Sequence, residues 1–259
     1  MKIAIIGAGN MGGAIARGMA RGTIIPAENI TVSNPSQEKL DKLKAEFPAM
    51  HTTNSNQLAA EGADLVLLAV KPWLIETVLK KTILPKHAIL ASVAAGIPCA
   101  DLAKFMGHTE RAILRIIPNT AISELQSMTI LTGYQLTEEQ RTCITEIFNE
   151  MGTTLWLPEE KMSAATALAS CGIAYVFKYI QAAMQAGIEM GIYPKDAIQL
   201  AAQSAKGAAE ILLSNDTHPS LEIDKVCTPG GITIKGINEL DHAGFSSAII
   251  KAMKASQNS

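Results

Sequence analysis

Gly7-Ala8-Gly9-Asn10-Met11-Gly12 sets three glycines at the spacing G-x-G-x-x-G. The run Ile3–Ile6 precedes it and a helical pattern follows, the context in which such glycines bind a dinucleotide. Gly7 permits a tight turn, Gly9 lets backbone approach a pyrophosphate, and Gly12 lets helix and strand pack closely. The helix start offers unpaired N–H groups and a positive dipole end to the phosphates. For NAD, a carboxylate that binds ribose hydroxyls is expected about 20 residues further on. The chain there reads Val32-Ser33-Asn34-Pro35. Nothing at that place repels a 2′-phosphate, Ser33 and Asn34 can donate hydrogen bonds to one, and Lys39 and Lys42 follow. These residues favour NADP. Asn56, in a polar loop, is a candidate for the adenosine side.

Two further turns belong with this loop. Ala69-Val70-Lys71-Pro72 closes one apolar run, and Ser92-Val93-Ala94-Ala95-Gly96 closes another. Ligands of open α/β sheets bind beyond the carboxyl ends of the strands. Lys71 is thereby placed beside the cofactor, and the small residues Ala94 and Ala95 let the nicotinamide ribose lie against backbone. Far along the chain, Thr228-Pro229-Gly230-Gly231-Ile232-Thr233-Ile234 precedes a helical pattern. Glycines and a threonine at a helix start form a second natural anion site, suited to a substrate carboxylate. The four cysteines form no CxxC, and the five histidines form no HxxxH or HExxH, so no metal site is expected.

Positioning these turns requires strands and helices in alternation. Ile3–Ile6, Ile30–Ser33, Leu65–Val70, Ile89–Ser92 and Ile113–Ile117 read as strands, and 10–21, 36–46, 72–81, 98–105 and 137–149 as helices. Thr137 with Gln140 predicts a capping box for the last of these. Continuous apolar strands separated by helices indicate an α/β fold: a Rossmann-like, doubly wound parallel sheet covered on both faces. The character changes near residue 160. Between Met162 and Gly191 only Lys178 and Glu189 are charged. Helical patterns follow at 195–213, 231–243 and 246–256, with no strand. The division expected is a dinucleotide-binding domain over 1–158 and an all-α dimerisation and substrate domain over 159–259. A helix about 45 Å long and apolar nearly all round needs more cover than so small a domain can give. A second subunit is expected to supply it.

The chain of 259 residues is 48% hydrophobic and 18% charged, enough to bury a core. With 22 basic and 24 acidic side chains and 4% aromatics, neither nucleic acid nor an anionic membrane is an expected partner. The apolar run 164–177 has 14 residues, short of the roughly 20 that span a bilayer. The short run before Gly7 is no signal peptide, and scattered cysteines suit a reducing compartment. The expected location is the cytoplasm.

The chain resembles the pyrroline-5-carboxylate reductases over nearly its whole length. The resemblance is carried by Gly7–Gly12, Ala69–Pro72, Ala94-Ala95-Gly96, Pro118-Asn119-Thr120, Cys171-Gly172-Ile173-Ala174-Tyr175-Val176-Phe177 and Val226–Ile234. It implies reduction of 1-pyrroline-5-carboxylate to L-proline by NADPH, with NADH as the alternative. It implies a homodimer as the smallest active unit, often within a pentamer of dimers, and an active site between domains and across the dimer. By motif position, Gly7 to Met11, Asn34, Asn56, Ala69, Val70, Lys71, Pro72 and Ala95 would contact cofactor. Glu159, Ile232 and Thr233 would contact substrate or product. The chain departs from the family where Ala169-Ser170-Cys171-Gly172-Ile173 replaces the usual Ser-Gly-(Ser/Cys)-Gly-Pro. Thr228 replaces a serine, and Pro35 stands where a basic residue is frequent.

The chemistry expected is hydride transfer to a protonated cyclic imine, which takes its proton from water near neutral pH. Orientation then carries much of the catalysis, on the order of 7–11 kcal/mol where it is good. Backbone N–H groups around Gly230–Thr233 hold the carboxylate, the Thr233 hydroxyl bonds the ring nitrogen, and Glu159 lies near the cationic ring. Two other readings are weaker. A β-hydroxyacid dehydrogenase needs Lys-x-x-x-Asn on the long helix, but that spacing occurs only at Lys254 and Asn258 in the tail. A non-catalytic NADP-binding protein would not need the turn at Thr228–Thr233.

Overall fold

The computed structural model describes residues 1–107 and 110–257. Asn258 of the Lys254 pair lies outside them. The contacts divide the chain into a unit Met1–Ser170 and a second that begins at Cys171.

The first unit is built on strands β1 (Ile3–Ile6), β2 (Ile30–Ser33), β3 (His51–Thr53), β4 (Leu65–Leu68), β5 (Ile89–Ser92), β6 (Ile113–Ile117), β7 (Ser127–Tyr134) and β8 (Gly152–Trp156). Its helices are α1 (Asn10–Arg21), α2 (Gln37–Glu46), α3 (Asn56–Ala60), α4 (Ile75–Lys81), α5 (Cys99–Phe105), α6 (Glu138–Asn149) and α7 (Met162–Ala165). One sheet runs in the order β3-β2-β1-β4-β5-β6-β7-β8. All neighbours are parallel except β6 and β7, which pair antiparallel from Ile113↔Tyr134 to Ile117↔Ile130. The direction of winding reverses between β1 and β4, the switch point at which doubly wound sheets bind ligands.

The wholly apolar strands need two covered faces, and the core supplies them. Ile3, Ile5, Leu65 and Leu67 join one buried cluster with Ile15, Phe148 and Met151. Ala4, Ile6, Val66 and Leu68 join a second with Ile75, Leu79 and Leu102. The period-2 alternation of side chains thus divides each central strand between two helical layers.

Three strands escape the apolar-run criterion. β3 is three polar residues at the sheet edge, and β8 alternates in exposure. β7 reads as polar because Ser127, Thr129 and Thr132 interrupt it, yet all three are buried. The Thr129 hydroxyl donates to Ser127 Oγ, which also accepts the Asn119 N–H, so burial there leaves these groups paired. β4 ends two residues before its predicted end, and Ala69 turns away while still donating to Ile6 O. The predicted helix 72–81 begins with a 3-10 turn, Pro72–Leu74. Thr137 and Gln140 form the expected capping box on α6.

A helical run continues from a 3-10 turn at Glu159–Lys161 through α7 and a π-helical turn, Thr166–Cys171. The wide turn includes Ala169, Ser170 and Cys171 of the stretch that departs from the family pattern, whereas Ile173 lies in the helix that follows. Asn119 Nδ2 donates to Ala169 O in this turn at 3.2 Å.

The second unit is all helical: α8 (Gly172–Glu189), α9 (Pro194–Asn215), α10 (Pro219–Val226), α11 (Ile232–His242) and α12 (Phe245–Gln257). α10 has no counterpart in the sequence reading. Gly187 lets α8 and α9 approach, since a Cβ there would sit 3.0 Å from Ala197 Cβ. Tyr175 on α8 donates to Ala252 O on α12 and bonds Ser256 Oγ. The whole run Glu159–Glu189 is 31 residues of helix with mean hydropathy 1.2 in its most apolar window. The sequence expectation of a run too short for a bilayer is therefore corrected: by length and composition this helix would suffice. The chain itself buries only 17% of that window, and Phe177 is 59% exposed. An uncovered apolar face of this kind marks an interaction surface.

Candidate active site

The turn after β1 is fixed by close contacts. Gly7 has φ +110°, and a Cβ on it would lie 2.5 Å from Ala69 O. A Cβ on Gly12 would lie 2.0 Å from Gly7 O and 2.8 Å from Ala69 Cβ. Gly9 differs: its φ is −71° and a Cβ there meets nothing within 4 Å. It is the N-cap of α1, makes no side-chain cap, and no acidic residue follows in the first turn. An open, uncapped helix start is the form that accepts phosphate.

Ser33, Asn34 and Asn56 converge on this turn from the ends of β2 and β3. Ala8 N–H donates to Asn34 Oδ1 at 3.0 Å, and Gly7 N–H donates to Ser33 O at 2.8 Å. Asn34 Nδ2 donates to Ser36 O, and the buried Ser33 hydroxyl donates to Asn56 Oδ1 at 2.8 Å. These side chains are engaged in shaping the glycine turn. Asn56 is no loop residue but the first of α3, a helix capped by Ser55. Lys39 is exposed, and Lys42 pairs with Glu38 across one helical turn. Lys71 is exposed just before Pro72, beyond the carboxyl end of β4, while Ala69 and Val70 are the residues that lie against Gly7. Beyond β5, Ala94 is buried with its N–H on Ser92 Oγ, whereas Ala95 and Gly96 are exposed.

In the second unit, Gly230 has φ +73°, and Gly231 N–H donates to Thr228 O at 2.9 Å. A Cβ on Gly231 would strike Thr228 Oγ1 at 2.5 Å. The turn delivers the chain into α11 with Gly231 as N-cap, no side-chain cap and no acid in the first turn. Ile232 and Thr233, the first two helical residues, are exposed. This start has the same open form as that of α1.

Glu159 follows β8 and heads the helical run. Its Oε1 accepts two bonds of 2.8 Å, from Arg115 Nη1 and from the backbone N–H of Cys99. Burial raises the Glu159 pKa, but those two donors outweigh it and hold the carboxyl below the ordinary glutamate range. Burial, and then the Glu159 charge, push the Cys99 thiol up to about 12. Next to Glu159 is a cleft of about 370 Å³ bounded by Arg141, Trp156 and Thr132. The Arg141 guanidinium stacks 4.7 Å from the Trp156 ring.

Residue type and spacing alone do not point to Arg115 as a site residue. Its signal was a single charge inside the strand Ile113-Leu114-Arg115-Ile116-Ile117. A buried arginine demands an anionic partner, but the strand alone does not say which.

Residues 159–259 match the family model described as pyrroline-5-carboxylate reductase dimerisation, and 2–96 match the one described as NADP oxidoreductase, coenzyme F420-dependent. The chain is 38% identical to pyrroline-5-carboxylate reductase 1 of Dictyostelium discoideum over 99% of its length, which is 48% of that protein. It thus spans about half of that relative. It is 37% identical to reductase 2 of the same organism over 97% of its length and 89% of that protein. A crystal structure of Plasmodium falciparum pyrroline carboxylate reductase with NADP bound superposes with TM-score 0.89. That match has 27% identity and covers 100% of this chain and 96% of the other.

Proposed function

The chain belongs to the pyrroline-5-carboxylate reductase family, and on that premise we propose how its residues carry out the reduction of 1-pyrroline-5-carboxylate to L-proline. The full-length likeness to named reductases carries this reading. NADPH supplies the hydride that adds to the ring carbon of the C=N bond, and the ring nitrogen keeps the proton it took from water.

The N–H groups at the start of α1 bind the pyrophosphate, and Gly9 gives the room. Ser33, Asn34 and Asn56 hold the turn in that shape, so their contribution to cofactor binding is positional. Lys71, Pro72, Ala69, Val70, Ala94 and Ala95 form the rims at the ends of β4 and β5. The N–H groups of Ile232 and Thr233, at the open start of α11, hold the substrate carboxylate. The Thr233 hydroxyl bonds the ring nitrogen, and Glu159 offsets the positive charge of the protonated imine. None of these groups must lose a proton, so the chain's role is to orient two reactants.

The functional division we propose is 1–158 for cofactor and 159–259 for substrate and dimerisation. The protein is a homo-oligomer: the dimerisation match covers the helices whose apolar surface the chain leaves open. The pentamer of dimers and a cytoplasmic location complete the proposal, the latter supported by four unpaired cysteines. The test is consumption of NADPH, followed by absorbance, with racemic pyrroline-5-carboxylate, repeated with NADH. Proline formation with NADPH is expected. Cofactor binding without imine-dependent oxidation would overturn the reading.

A further inference from the structure

Arg115 is the unusual residue of the sheet. It sits in the middle of β6 with its side chain 8% exposed, flanked by four fully apolar neighbours. Its Nη1 is spent on Glu159 at 2.8 Å, and its Nε has no hydrogen-bond partner among the described residues. A buried guanidinium with one donor unused is costly, and hydrophobic replacement of such pairs is often neutral or stabilising. Such a pair is therefore weak evidence for a purely stabilising role.

Geometry offers another role. Glu159 is 37% exposed and bounds the cleft beside Arg141 and Trp156. Both strong bonds it accepts, from Arg115 and Cys99, reach the same oxygen, Oε1. They come from β6 and the start of α5, two elements anchored in the core. The carboxylate is thus gripped from behind by one oxygen. We propose that Arg115, with the Cys99 N–H, is a positioning residue that fixes the orientation and charge of Glu159 toward the cationic ring of the substrate. This rests on the reading that Glu159 faces that ring. The groups facing Glu159 are Arg115 from β6 and Cys99 from α5, with Arg141 of α6 lining the same cleft.

The test is a double-mutant cycle in the full-length enzyme, with kcat/KM for the imine measured across pH. Glu159→Gln checks the underlying reading: if kcat/KM stays within about twofold, Glu159 does not serve the substrate, and that reading fails. Where Glu159→Gln is impaired, Arg115→Gln is expected to lower kcat/KM by about ten- to a hundredfold, the range for a lost bond to a charged group. NADPH affinity should not change. The acid limb of the profile should move to higher pH, because the carboxylate loses the guanidinium that favours its charged form. Arg115→Lys should restore part of the rate and part of the limb, and it stands in if the glutamine variant does not fold. Combined with Glu159→Gln, the Arg115 change should cost nothing further. An additive double variant, or an unmoved limb in both Arg115 variants, would overturn the proposal.

Discussion

Adding a methyl group to two glycines of one turn should separate folding from cofactor binding. In Gly12→Ala the new Cβ meets Gly7 O at 2.0 Å and Ala69 Cβ at 2.8 Å, whereas ordinary contacts begin near 3.4 Å. Neither neighbour is the end of a flexible side chain, so α1 must lift away from β1 and β4. Overpacking of this kind costs about 1–3 kcal/mol, or roughly 2–12 °C in Tm for a protein of this size. In Gly9→Ala the methyl meets nothing within 4 Å, and the φ of −71° suits alanine. Reduced freedom of the unfolded chain contributes about 0.4–1 kcal/mol. Alanine's poorer N-capping offsets a similar amount. Stability should stay within about 1 kcal/mol of the parent. The methyl does fill the space through which a pyrophosphate approaches the backbone. A steric cost of about 1–3 kcal/mol weakens NADPH binding by roughly five- to 150-fold. Thermal melts and calorimetric titration with NADPH read both effects. A Gly9→Ala protein that binds NADPH like the parent would refute the placement of the cofactor, and a Gly12→Ala protein with an unchanged Tm would refute the packing argument.

Thr233→Ala should lower kcat/KM for the imine by about ten- to a hundredfold with NADPH affinity intact, and Thr233→Ser should recover most of the loss; steady-state kinetics check this. Cys99, buried and with its pKa pushed up to about 12, should resist iodoacetamide at neutral pH until the protein unfolds, as followed by peptide mass mapping. Glu159 is held below the usual glutamate pKa, so it contributes stability above about pH 4.3 that is lost as pH falls through its lower folded value. Glu159→Gln should therefore be less stable than the parent at neutral pH, with the gap in urea midpoint closing on acidification. Phe177→Asp places a charge on the uncovered face of α8 and should lower the mass measured by light scattering toward that of a monomer.

The sheet was legible wherever strands were buried on both sides. Ile3–Ile6 and Ile113–Ile117 stand out because both faces need apolar cover. β7 did not stand out, because its buried Ser127 and Thr129 satisfy each other through contacts that no local pattern records. The sequence places Asn56 in a loop rather than at the head of α3, since a five-residue helix has too few turns to show a period. At both glycine turns the residue types predict the backbone geometry directly. Gly7 and Gly230 occupy positive φ, and Gly12 and Gly231 leave no space for a Cβ.

From residue order alone came the dinucleotide turn, the second helix start at Gly231 and the change to helices near residue 160. Each follows from short-range constraints: glycine's freedom in φ, side-chain periodicity and helix-end polarity. The pairing of Arg115 with Glu159, 44 residues apart, was decided only by the folded sheet. So was the engagement of Ser33 and Asn34 within the turn they were expected to serve. A side chain's partner depends on which strands become neighbours, and that is settled by burial of the whole core.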